Sequence, residues 1–165
     1  MQKIKMADTT AFGAGPSLSA EPWLHVEVEV GAPQSFGSAE GYDRRCVPLI
    51  SGTVTGRLNG IVLPGGTDWQ RVFPDGTTEL DAHYAIRTSD GAMIEAHATG
   101  IRSGPEAALR DLLAGRPVDP ALLYFRVAYR FNTDAPGLRD FATRLFIGVG
   151  RREPSRVHVD IFAVD

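Results

Sequence analysis

Cross-linking is nearly absent from this chain: Cys46 is the only cysteine in 165 residues. A lone thiol forms no internal disulfide, so the sequence reads as a protein of the reducing cytoplasm. It also leaves no cysteine pair for zinc. Long apolar runs are missing too, and no stretch approaches the roughly 20 residues that a membrane-spanning helix needs. The first residues lack a signal peptide's apolar centre, with Ala, Gly, Ser and Thr dominating from Ala7 to Ala20. Neither sign of charge prevails: 17 Lys and Arg stand against 20 Asp and Glu, for a net charge of −3. With no basic stripe, a nucleic-acid or anionic-membrane partner is not expected. There is no phosphate-cradling Walker loop, no dinucleotide-binding glycine fingerprint and no Gly-x-Ser-x-Gly elbow, so no cofactor is expected either.

Alternation is what the sequence does have. From Trp23 to Val30 (WLHVEVEV), Leu24, Val26, Val28 and Val30 share one face and Trp23, His25, Glu27 and Glu29 the other. That is the pattern of a half-buried antiparallel strand. Arg44 to Ile50 reads as a second strand, broken or bulged at Pro48, and Ser51-Gly52 as a turn into Thr53–Gly56. Asn59-Gly60 is a tight-turn signal ahead of Ile61–Leu63, and Ser89-Asp90-Gly91 another between Leu80–Thr88 and Ala92–Ile101. The one convincing helix runs from Pro105 to Ala114, with Pro105 in its first turn, Gly115 past its end and a buried stripe of Leu109, Leu112 and Leu113. Leu122–Phe131, Arg144–Val149 and Arg156–Val164 read as further strands, and Pro136–Ala142 as one helical turn.

About eight strands at hairpin spacing with one short helix predict a mainly β protein, an antiparallel barrel or sandwich. Closure removes exposed edges, which favours a single closed β-barrel of the lipocalin or allene-oxide-cyclase kind. Eight strands leave an interior just wide enough for one small ligand. Residues 1–22 show no periodicity and read as a flexible tail, with residues 23–165 as the barrel domain.

The polar residues cluster around one stretch, Ile61 to Tyr84. A strand stops at Pro64-Gly65-Gly66, Asp68, Trp69 and Gln70 follow on what reads as a loop rim, and a second extended run delivers Asp81, His83 and Tyr84. There Trp69 could stack a flat ligand while Asp68 accepts its hydroxyl or proton; equally, Trp69 is a plug and Asp68 a turn cap. Asp81 and His83 share a strand face, and Glu95 and His97 repeat that spacing on the next strand, so the four read as one cross-strand patch. If the patch faces inward, Asp81 orients His83 as an acid or base; if outward, it is a solvated face of opposite charges. Tyr124, Arg126 and Arg130 share a face and could hold a carboxylate or phenolate, or could pair with acids outside. The dispersed histidines His25, His83, His97 and His158 read as surface or structural groups rather than metal ligands. Cys46 reads as a small core residue and Arg151-Arg152 as a solvated turn.

Taken in order, VLPGGTDWQ (Val62–Gln70), DG-x3-LDAHY (Asp75–Tyr84), TSDGAMI (Thr88–Ile94), YFR (Tyr124–Arg126) and LFIGVGRR (Leu145–Arg152) resemble the family catalogued as domain of unknown function 3237. The resemblance spans about Trp23 to Val164 and implies an antiparallel β-barrel with a central cavity. It implies no reaction. This chain has His83 where the family usually has Arg, Ser51-Gly52 for Gly-Gly, and Phe141-Ala142-Thr143 for Trp-Leu-Asn. Two function classes stay open. One is a cofactor-free isomerase, cyclase or lyase for an aromatic or polyketide-like compound, with His83, oriented by Asp81, as the base or acid and Asp68 as a second proton carrier. Its substrate wall would include Trp69, Gln70, Tyr84, Tyr124, Arg126 and Arg130. The other is a non-catalytic carrier or sensor with the same pocket. Either takes a small organic ligand, and a homo-oligomer is compatible with both.

Overall fold

The computed structural model describes residues 15–165. The described residues form ten strands and two short α-helices, with one 3-10 turn at Pro120–Leu122. They are β1 (Leu24–Val30), β2 (Gln34–Ser35), β3 (Asp43–Gly56), β4 (Gly60–Val62), β5 (Thr67–Val72), β6 (Thr78–Thr88), β7 (Met93–Ser103), α1 (Glu106–Leu113), β8 (Tyr124–Asn132), α2 (Arg139–Thr143), β9 (Phe146–Arg152) and β10 (Arg156–Ala163). Eight of the strands close a ring in the order β1-β10-β9-β8-β7-β6-β5-β3, and β3 returns to pair with β1. Every neighbouring pair is antiparallel. This is the expected closed barrel, with β2 a short addition to β3 and β4 a short bridge between β3 and β6.

Alternation carries the core. Leu24, Val26 and Val28 on β1, Ala96 and Ala98 on β7, Phe125, Val127 and Tyr129 on β8 and Val159 and Ile161 on β10 are all buried. Trp23, expected on the outer side with His25, is buried at the foot of β1, where the chain has not yet entered the strand's alternation. It joins Phe131, Phe141 and Phe146 in a set of aromatic rings with centroids 5.3–5.9 Å apart. Phe141 comes from α2, so this helix seals one end of the barrel with an aromatic plug.

Two sequence expectations change. Ser51-Gly52 is no turn but the middle of the continuous 14-residue β3. A Cβ at Gly52 would stand 2.4 Å from the Glu27 carbonyl oxygen, so its bare backbone serves the close approach of β1. Asp68, Trp69 and Gln70 are not on a loop rim but inside β5, paired on both sides with β3 and β6. At the end opposite the plug, α1 lays Leu109 against the β5–β6 turn. There Gly76 holds φ +85°, and an added Cβ would meet Leu109 Cβ at 2.8 Å. Of the segment expected to be a tail, residues 1–14 lie outside the described residues, and Leu18 bridges Val164 beside the end of β10. No helix among the described residues is long and apolar enough to cross a membrane.

Candidate functional site

Inside the barrel is a cavity of about 70 Å³. That is room for about five waters, at roughly 10–15 Å³ for each. Most of its wall is apolar, from Val28, Leu49, Leu80, Phe125, Val127 and Val159 among others. The polar lining consists of Asp68, Gln70, Tyr84, Arg102, Tyr129 and Arg152. The shape depends on β9, where two glycines face inward. A Cβ at Gly148 would lie 2.9 Å from the Tyr129 ring, and one at Gly150 2.6 Å from the Phe125 ring. These large side chains of β8 lie over the neighbouring β9 only because its glycines leave nothing in their way.

The charged groups collect at the end away from the aromatic plug. Arg45 lies near the start of β3, Arg102 near the end of β7, and Arg152 ends β9. Each continues a row of inward apolar positions: Arg45 precedes Val47 and Leu49, Arg102 follows Ala96, Ala98 and Gly100, and Arg152 follows Gly148 and Gly150. Arg45 Nε donates to Gln70 Oε1 at 2.8 Å, and Gln70 Nε2 donates to Asp68 Oδ2 at 2.5 Å. The other Asp68 oxygen accepts the Asp81 backbone N–H at 3.1 Å. Burial pushes the Asp68 carboxyl above its ordinary 3.8, although these bonds and the charges of Arg102 and Arg45 pull it down.

Burial acts on the neighbours as well. It lowers the Arg45 and Arg152 guanidiniums, and it takes Arg102, with help from the charge of Arg45, to about 10. Tyr84 donates to the Tyr129 hydroxyl at 3.3 Å. Burial holds Tyr129 up to about 12 and Tyr84 well above 10, so both phenols are neutral donors at ordinary pH.

The expected site residues divide by strand face. Asp68, Gln70 and Tyr84 line the cavity. Asp81 and His83 do not: β6 turns Leu80, Ala82 and Tyr84 inward, which puts both on the outer wall. The His83 side chain is 58% exposed. The expected cross-strand patch does form there, with His83 Nε2 2.6 Å from Glu95 Oε1 and His97 Nε2 2.7 Å from Asp81 Oδ1. Hydrogen bonds from Asn132 and His83 hold the Glu95 carboxyl below its usual value. This is the solvated face of opposite charges, and it takes the proposed His83 chemistry out of the barrel.

Trp69 is also outside, with Phe36 at a ring distance of 5.6 Å and the Arg44 guanidinium 5.0 Å from its centroid. Tyr124, Arg126 and Arg130 fall on the outer side of β8, because Phe125, Val127 and Tyr129 occupy the inner one. Cys46 is half-buried, opposite Gln34 and Trp69 in the register, rather than in the core. Sequence reasoning missed Arg45, Arg102, Tyr129 and Arg152 as site residues. The signal for the three arginines was their phase, since each extends a row of inward apolar or glycine positions.

The family model described as "Protein of unknown function (DUF3237)" matches residues 18–164. A UPF0311 protein of Rhodopseudomonas palustris strain TIE-1 is 38% identical over 150 residues, which is 90% of this chain and 98% of that one. A crystal structure of a conserved protein of unknown function from Rhodopseudomonas palustris superposes with a TM-score of 0.85 at 37% identity, covering 92% of this chain and 100% of the other. A β-barrel like protein from Acinetobacter baumannii gives 0.79 at 30% identity over 92% and 98% of the two chains. A protein described as an enzyme from Penicillium herquei shares the fold, with a TM-score of 0.65 at 22% identity over 92% of this chain and 96% of its own. The match runs from the bridge at Leu18 through the last strand, and the chain belongs to the DUF3237 family.

Proposed function

We propose that the barrel binds a small, partly apolar organic molecule in its interior and acts on it by cofactor-free general acid/base chemistry. The reaction class is isomerisation, cyclisation or elimination, and the substrate an aromatic or polyketide-like compound. The observation that carries this reading is the asymmetry of the cavity: an apolar wall ends in the linked set Arg45, Gln70 and Asp68. Such a cavity holds a carbon skeleton on one side and aims a few polar groups at the other.

In this reading Asp68 is the proton carrier. Its raised pKa brings it closer to the working pH, where a general base is most efficient. It takes a proton from the substrate and returns it at a second position or, in an elimination, to the departing group, so no co-reactant is consumed. The Tyr129 hydroxyl, which accepts from Tyr84, stays protonated and donates to negative charge developing on a substrate oxygen. The test is incubation with a panel of small enolisable ketones and hydroxylated aromatics, followed by mass spectrometry of products and calorimetry of binding. Wild type turns over at least one of them, and Asp68→Asn loses turnover by about 10²-fold or more while binding it within about tenfold. Binding without turnover by wild type assigns the carrier or sensor class instead. No binding at all, with a dry barrel in soaked crystals, rules out both.

A further inference from the structure

We propose that the ligand of this cavity is an organic anion whose carboxylate, phenolate or enolate oxygen docks on the Arg102 guanidinium. The inference rests on the small-molecule reading above and names the ligand's chemical class. Arg102 is 3% exposed and lines the cavity. Its Nε is buried with no hydrogen-bond partner. The one bond it makes among the described residues is from Nη2 to Thr78 Oγ1 at 3.5 Å, the far limit of such a contact. A guanidinium carries five donors, so nearly all of this group's capacity is unused.

The neighbours do not supply what is missing. Arg45 spends its Nε on Gln70, and Arg152 Nη1 donates to the main-chain carbonyls of Glu153 and Arg156. Among the described residues Asp68 is the one acid lining the cavity, against Arg102 and Arg152 on its wall and Arg45 behind Gln70. Among the described residues, Arg102, Arg45 and Arg152 have no carboxylate within 4.0 Å. Outer arginines behave otherwise: Arg156 reaches Glu27 at 2.8 Å and Arg71 reaches Glu79 at 3.1 Å. A cation withdrawn from water with no carboxylate in contact is costly, and a bound oxyanion is the partner that meets its geometry. The Phe125 ring, 5.8 Å from the Arg102 Cζ, and the aliphatic wall beside it suit the ligand's carbon body.

The experiment is calorimetry with benzoate and with its neutral analogues benzamide and benzyl alcohol, at about 0.15 M NaCl so that exposed arginines are screened. Benzoate should bind wild type at least about tenfold more tightly than either neutral probe, and Arg102→Met should erase that preference. Ligand-free Arg102→Met should melt no lower than wild type, because the change removes an unpartnered buried cation. Neutral probes that bind as well as benzoate overturn the anion and leave the small-molecule barrel standing. If none of the three binds and soaked crystals have a dry interior, both readings fall. An Arg102→Met protein that melts far below wild type, or keeps the preference for benzoate, gives Arg102 a structural role and overturns the docking.

Discussion

Asp68 and His83 belong to adjacent strands and sit next to each other in the ladder, where Asp68 pairs with Ala82 and Thr67 with His83, yet they serve opposite faces. Their residue types say nothing of this; their phase does. Asp68 is in step with Gln70 and Val72, which are buried, whereas His83 is in step with the exposed Asp81 and Arg87. His83→Ala should therefore leave cavity binding within about twofold of wild type, since exposed ion pairs contribute little. A tenfold loss in calorimetry would return His83 to the site. Asp68 should also report itself through pH. Its carboxyl is raised in the folded state, so the stability it lends is fully present below the ordinary value of 3.8 and is lost as pH rises through the raised one. Asp68→Asn lacks that dependence, and its urea midpoint should gain on wild type across this rise while the difference stays flat below it. Parallel midpoints from about pH 3.5 to 7 would mean that Asp68 is not held in a desolvated site. The site was half legible at this scale: Asp68, Gln70 and Tyr84 stood out as polar residues near a glycine corner. Arg45, Arg102 and Arg152 did not, because an arginine at the end of a strand looks like a solvated one until the barrel places it.

The strands themselves were mostly readable, because period-two alternation and Asn, Asp and Gly turns are local signals. The hairpin at Ser89-Asp90-Gly91 is an example, with Gly91 at φ +93° and its N–H donated to the Thr88 carbonyl at 3.0 Å. What failed were glycines that serve tertiary contact rather than turns. Ser51-Gly52 looks like a turn in isolation, and only the crossing of β1 explains why β3 runs straight through it. Gly150 plays the same part for Phe125. A methyl group there would press on the ring at 2.6 Å, so Gly150→Ala should destabilise by about 1–3 kcal/mol in urea titration. A variant as stable as wild type would show that Phe125 has room to swing away, and that the cavity wall on that side is soft.

At the scale of the whole molecule, closure followed from strand number and the cost of exposed edges, and the ring of eight strands bears it out. The contents of the barrel did not follow. Which end is plugged and which is charged depends on where Trp23 meets Phe141 and Phe146, and these come from opposite ends of the barrel sequence. The half-buried Arg45, Asp68 and Arg152 mark the end opposite that plug. On the proposed reading, a guest held by its oxygen at the charged end extends its carbon end toward the floor that Tyr84, Tyr129 and Val159 form short of that plug. The barrel then works as a ruler. Within a homologous series it should admit members up to one length and refuse the next, and the rings of Tyr84 and Tyr129 are the mark at which it stops.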